Sequence, residues 1–162
     1  MRKIRRALAE QKAAAIHLLY PETCVLPINP IEVARKLGVD VFVDDTKENL
    51  DGWYNAEKNA IYLNTKMPLL RRRFTVCHEL GHAVLGHGTK ERSNVKTYSK
   101  ERYDPDEVEA NIFATCLLMP KNIVGICVDA AMNLDQMCRL FGVSNRAMTI
   151  RLKQLGYLHE EK

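Results

Sequence analysis

The chain has 162 residues, 46% hydrophobic and 27% charged, with a formal net charge of +4. That is enough to bury one real core but hardly two. The charge is too small to mark a nucleic-acid binder by itself, and no stretch approaches the ~20 apolar residues of a membrane span.

The Arg2-Lys3-Ile4-Arg5-Arg6 start leads into a polar-interrupted helix and not the apolar core of a signal peptide, so a cytoplasmic location is expected. Ile4 to Tyr20 reads as that helix. Asn29-Pro30 starts a second, Ile31 to Leu37, stopped by Gly38. Val39 to Val43 alternates as a strand does. Gly52-Trp53-Tyr54-Asn55 and Ala60-Ile61-Tyr62-Leu63-Asn64 flank the turn Ala56-Glu57-Lys58-Asn59 as a hairpin. From Arg71 to Leu85, the residues Phe74, Val76, Cys77, Leu80, Ala83 and Val84 recur at spacings of three and four, the pattern of a half-buried helix. Gly86 and Gly88 suit its C-terminal stop. Arg71, Arg72 and Arg73 crowd its start, where the helix dipole disfavours cations, so they have another job or the helix begins upstream. Thr89 to Tyr103 is polar, charged and without period, a loop or mobile flap. Asp104-Pro105-Asp106-Glu107 then opens a helix with an N-cap aspartate, proline at the first position and a glutamate completing a capping-box-like arrangement. Leu134 to Phe141, Gly142-Val143-Ser144 and Asn145 to Leu155 outline a helix-turn-helix with Ser144 as N-cap. Cys24, Cys77, Cys116, Cys127 and Cys138 are odd in number, lack Cys-x-x-Cys spacing and sit mostly among apolar residues, as buried free thiols do.

The chemistry lies in His78-Glu79-Leu80-Gly81-His82, inside the 71–85 helix. Two histidines four apart project from one helix face and can hold one metal ion, with Glu79 beside it. A catalytic zinc normally takes three protein ligands and keeps one position for water, so a third ligand is required. Asp106 and Glu107 are accounted for as helix-start residues. Glu109 is not, because at about 100° per residue it falls in the middle of the apolar face made by Val108, Ile112, Phe113 and Cys116. A carboxylate there needs a cation. Glu109 is therefore the candidate third ligand; the competing reading pairs it with a nearby arginine or sets it at the core edge. Cys77 points about 100° away from His78 and is not a candidate.

At these residues the chain resembles the ImmA/IrrE metallopeptidases, whose pattern joins His-Glu-x-x-His to a later Glu-x-x-Ala-Asn-x-Phe-Ala-like helix ending in Leu-x-Met-Pro. Arg73-Phe74-Thr75-Val76-Cys77-His78-Glu79-Leu80-Gly81-His82 is similar to the first block. Glu109-Ala110-Asn111-Ile112-Phe113-Ala114-Thr115-Cys116-Leu117-Leu118-Met119-Pro120 is similar to the second. The resemblance implies one mainly helical α+β, zincin-like domain over 1–162. It would carry a small antiparallel sheet beside the metal-binding helix and the helix-turn-helix-like segment 134–156 packed within it. It also implies a protein substrate, a transcriptional repressor of the Xre-type helix-turn-helix class, cleaved to derepress mobile-element or stress genes.

With His78, His82 and Glu109 as ligands, zinc would keep one position for water and lower its pKa towards ~7, and Glu79 would be the general base. Manganese or iron also suits two histidines and a carboxylate. Tyr98, Tyr103 and His87 are in reach as oxyanion stabilisers, but surface tyrosines and a helix-ending histidine are the simpler reading and none is assigned; His87 could also hydrogen-bond behind the ligands. Rival functions are a non-enzymatic antirepressor, which would form an uncleaved complex with the repressor, and a toxin of a toxin-antitoxin pair. A third is DNA binding through Arg146, Arg151 and Lys153 of the last helix, against which stand Met148, Ile150, Leu152 and Leu155 as core positions on the same helix.

Overall fold

The computed structural model describes residues 2–93 and 104–159. Helix α1 (Arg6–Leu19) is followed by a short 3-10 turn (Pro21–Thr23) and α2 (Pro30–Lys36). Strands β1 (Asp40–Val43), β2 (Leu50–Asn55) and β3 (Ala60–Leu63) lead into α3 (Leu69–Leu85). After β4 (Lys90–Ser93) the chain is helical again, through α4 (Pro105–Leu118), α5 (Lys121–Asp129), α6 (Leu134–Phe141) and α7 (Asn145–Gln154). It is the mainly helical α+β architecture expected.

Local chemistry explains most of the boundaries. Asn29 caps α2 by accepting from the Ile31 amide, with Pro30 at the first helical position. Asp104 does the same for α4 at the Asp106 amide, ahead of Pro105. Asn133 and Gln136 close a reciprocal capping box on α6, and Ser144 accepts from the Ala147 amide to start α7. Helix α3 begins at Leu69, upstream of the three arginines, and two of these also have tertiary roles. Arg71 pairs with buried Asp51 at 2.6 Å. Arg73 donates to the carbonyls of Gly142 at 3.0 Å and Ile28 at 2.6 Å, tying α3 to the α6–α7 turn and to the approach to α2.

The sheet has the order β1-β3-β2-β4. β2 and β3 form the expected hairpin, with Trp53 opposite Tyr62, but β1 pairs with β3 in parallel, so the sheet is mixed and not wholly antiparallel. β4 is a second departure. It takes the first part of the stretch read as a flap and pairs antiparallel with β2 at the sheet edge; the rest of that stretch, with Tyr98 and Tyr103, lies outside the described residues. No single helix among the described residues is long and apolar enough to cross a membrane.

Helix α3 is the spine, packed on β2 and β3 on one side and on α4 on the other, and α1 covers α4 in turn. Leu80, Phe113, Leu117, Phe141 and Met148 belong to one buried cluster, so α6 and α7 share the core of α3 and α4. All five cysteines are free, and burial pushes the wholly buried Cys77 thiol up to about 12.

The α3–α4 interface is tightest at Gly81. A methyl group there would stand 3.1 Å from the Ala110 Cα, 3.1 Å from the Phe113 ring and 3.2 Å from the Ala110 carbonyl oxygen. Gly81→Val is expected to destabilise the fold by about 1–3 kcal/mol, because the partner is backbone and cannot step aside. Urea denaturation measures this, and a midpoint equal to wild type would show that the two helices tolerate separation.

Candidate metal centre

α3 carries His78, Glu79 and His82, all fully buried, on the faces turned to α4 and the sheet. The two imidazoles meet as the four-residue spacing requires, with Nε2 atoms 3.1 Å apart. The third group at that point is Glu107, not Glu109. Glu107 Oε2 is 3.1 Å from His78 Nε2, and its Oε1 is 3.2 Å from His82 Nε2. Burial works against the Glu107 carboxylate, but the two imidazoles more than offset it and hold its carboxyl well below the usual range.

Helix geometry explains the exchange of roles. Glu107 and Asn111 are four apart and about 40° from each other around α4, whereas Glu109 is about 200° from Glu107. Asn111 Oδ1 lies 2.8 Å from His78 Nδ1, so one edge of α4 contacts both ring nitrogens of His78. Glu109 faces the opposite way, buried, where Arg5 holds it. The Arg5 backbone amide donates to Oε1 at 2.7 Å, and its Nε and Nη2 donate to Oε2 at 3.0 and 2.8 Å. The arginine pairing weighed in the sequence is thus the one the structure contains. Burial pushes the Glu109 carboxyl up, and the Arg5 and His87 hydrogen bonds overcome this and hold it at about 2. Glu107, assigned to the helix start, turns its carboxylate to the histidines instead of completing a box with Asp104.

His87, whose backbone amide bonds the His82 carbonyl at 3.0 Å, returns its ring over His82. The Nδ1 atoms of the two rings are 2.8 Å apart, and His87 Nε2 is 3.1 Å from Glu109 Oε2. Burial pushes the His87 imidazole down, opposed by the Glu109 hydrogen bond. Arg5 is the functional neighbour that sequence reasoning missed, since its partner is 104 positions away.

The trio His78, His82 and Glu107 fits a metal ion. Tetrahedral zinc with bonds of ~2.0–2.2 Å sets its donor atoms about 3.3 Å apart; here the two Nε2 atoms are 3.1 Å apart, and the Glu107 carboxylate spans them with Oε2 3.1 Å from His78 Nε2 and Oε1 3.2 Å from His82 Nε2. Both Nδ1 atoms have partners elsewhere, Asn111 and His87, and in the tautomer with the protons on Nδ1 both Nε2 lone pairs face one common point. Glu79 sits under β2: a methyl on Gly52 would stand 3.7 Å from its Cγ. Away from this centre, α7 exposes Arg146 and Lys153, but Arg151 is buried and donates from Nε to the Met119 carbonyl at 3.0 Å, so it is not part of a DNA-facing surface.

Comparison with known proteins shows the family of the chain. A phi105 Bacillus phage protein described as uncharacterized immunity region protein 2 is 32% identical over 132 residues, 80% of this chain and 82% of that protein. The radiation response metalloprotease IrrE of Deinococcus radiodurans is 31% identical over 100 residues, and that of Deinococcus deserti 29% over 104. Each match covers 60% of this chain but only 27% and 32% of the two longer proteins. A solved structure described as a Mycobacterium tuberculosis transcriptional regulator superposes with a TM-score of 0.64 at 18% identity, covering 91% of this chain and 46% of that one, which establishes likeness of fold. The profile of the M78 peptidases, described as the IrrE N-terminal-like domain, matches residues 34–153. With both histidines, Glu79 and Glu107 inside that match, the chain belongs to the IrrE N-terminal-like family of M78 peptidases.

Proposed function

We propose that the chain is a zinc-dependent endopeptidase in which His78, His82 and Glu107 hold the metal and Glu79 is the general base. The observation that carries this reading is the meeting of two imidazole Nε2 atoms and one carboxylate, each oxygen 3.1 to 3.2 Å from one of the nitrogens, beside a buried glutamate. Zinc bound there supplies a Lewis acid for a peptide carbonyl and for water. Glu79, next to His78 in α3 and enclosed by β2, takes a proton from water and passes it to the leaving amine. Gly52 keeps the strand close over it, since a methyl there would stand 2.8 Å from the Thr75 methyl and 2.9 Å from the Tyr62 carbonyl. The whole of 1–162 is read as one peptidase unit, because α6 and α7 bury Met137, Phe141 and Met148 in the common core.

Substrate backbone has a natural place along β4. That strand is a sheet edge and pairs with β2, the strand over Glu79, whereas the other edge, β1, is separated from β2 by β3. An extended segment adding to β4 would be held by main-chain hydrogen bonds, which tolerate many sequences. The proposed substrate is an Xre-type helix-turn-helix repressor in the cytoplasm. Likeness to a phage immunity-region protein supports a regulatory target.

Elemental mass spectrometry on protein purified without a histidine tag is expected to find about one zinc per chain, lost in His82→Ala and in Glu107→Ala. A folded wild type that takes up no metal when zinc is offered would sink the reading, and manganese or iron in its place would reassign the ion. Glu79→Gln is expected to keep both fold and metal and to lower cleavage of a repressor encoded beside it by roughly 10²–10⁴-fold. Undiminished cleavage would remove Glu79 from the mechanism.

A further inference from the structure

We propose that Glu109 and His87, anchored by Arg5, are positioning residues that fix which nitrogen of His82 faces the metal, and so set how tightly the metal is held. The inference rests on the metal-site reading above and extends it to groups that do not touch the metal.

The hydrogen-bond directions follow one from another. His82 Nε2 presents a lone pair towards His78 and Glu107 only if the ring carries its proton on Nδ1. That Nδ1 meets His87 Nδ1 at 2.8 Å, a second ring nitrogen and not a carboxylate or carbonyl. Two such nitrogens bond only when one donates and the other accepts, so His87 accepts at Nδ1 and carries its own proton on Nε2. Glu109 Oε2, 3.1 Å from that Nε2, is the acceptor that holds the proton there. Glu109 is fully buried and stays a carboxylate because Arg5 gives it three hydrogen bonds, one from the main chain and two from the guanidinium. A metal-bound histidine usually hands its outer N–H straight to an oxygen acceptor; here a second histidine is interposed.

The local fold builds this arrangement. Gly86, in the left-handed region at φ +70°, ends α3 with paired bonds from the Gly86 amide to Ala83 O and from the His87 amide to His82 O. That turn brings the next side chain back over the helix. Arg5 lies outside residues 34–153, so the clamp comes from a part of the chain beyond the family match.

His87, Asp106 and Glu109 would otherwise read as a second metal site, since their donor atoms lie within 4.8 Å of one another. The cation of that site is already an arginine. Arg5 Nη2 donates to Glu109 Oε2 at 2.8 Å; at 3.2 Å from His87 Nε2 it lies alongside that nitrogen without bonding it, since both are donors in this tautomer, and Arg2 bonds Asp106.

Two measurements on the whole chain test the proposal. Competition with a chromophoric zinc chelator compares wild type, His87→Phe, Glu109→Gln and the double variant, each checked for folding by circular dichroism. Each single variant is expected to bind zinc roughly 10- to 100-fold more weakly. The double variant is expected to be no weaker than the worse single, because one chain is broken once. Long-range ¹H–¹⁵N NMR of zinc-loaded wild type is expected to place a proton on Nδ1 of His82 and on Nε2 of His87. That spectrum carries the test even where His87→Phe does not fold. Folded variants with wild-type affinity, losses that add, or a His87 proton on Nδ1 would overturn the proposal. Two zinc ions per chain would overturn the role given to Arg5, and a wild type that binds no zinc would overturn the metal-site reading beneath it.

Discussion

Gly81 and Ala110 bring α3 and α4 together backbone to backbone, and the reach of every side chain at the centre depends on that closeness. A glycine inside a helix costs about 1 kcal/mol relative to alanine, so its place in the middle of the most buried helix needs an offsetting gain. The gain is the α3–α4 interface, in which Leu80, Phe113 and Leu117 are wholly buried. The same contact lets one glutamate near the start of α4 touch both imidazoles of α3. Metal–ligand distances tolerate only about ±0.2 Å, so helices held further apart by an intervening side chain would keep the residues and lose the site.

Asp106, Glu107 and Glu109 crowd the start of α4, where the helix dipole favours acids, and a shared location hides three different duties. Asp106 meets Arg2. Glu107 is partly exposed, at 33% of its side chain, and turns to the histidines at the open edge of the helix. Glu109 is buried and carries Arg5 on one side and His87 on the other. The fully buried carboxylate needs a fixed cation, and an arginine supplies it.

This division explains what was legible in the sequence. Helices with side-chain caps and a clear period could be read closely: α2, α4, α6 and α7 begin at Asn29, Asp104, Asn133 and Ser144, each accepting from a backbone amide. The His78–His82 pair was legible because a spacing of four is a geometric statement about one helix. The choice between Glu107 and Glu109 was legible too, since Glu-x-x-Ala-Asn sets the glutamate three residues before Ala110, at Glu107, and starting the block at Glu109 misplaced it. Amphipathic logic selected Glu109 because α4 is buried on more than one side, and a carboxylate amid apolar residues marks a pairing demand without saying which cation meets it. Helix α5 escaped notice because Pro120 offers no capping side chain. β4 reads Lys-Glu-Arg-Ser, a charged run that an edge strand accommodates and that alternation cannot reveal. The parallel pairing of β1 with β3 depends on β2 standing on the far side of β3, an order no local pattern encodes.

Polar burial in this protein is concentrated where the fold breaks its own local rules. Among the described residues His78, Glu79, His82, His87 and Glu109 are among the few polar side chains buried, and all five lie on α3, on α4 or in the turn that ends α3. Apolar residues in those places would pack with less desolvation cost, so stability alone does not account for them. Hydrogen bonds satisfy the outward nitrogens of His78 and His82, through Asn111 on one side and His87 on the other. With their protons on Nδ1, both histidines turn Nε2 lone pairs inward beside the Glu107 carboxylate, a point suited to a cation. The apolar cluster made by Leu80, Phe113, Phe141 and Met148 supplies the rigidity for that arrangement, which is why departures from simple patterning mark the site and agreement with it marks the scaffold.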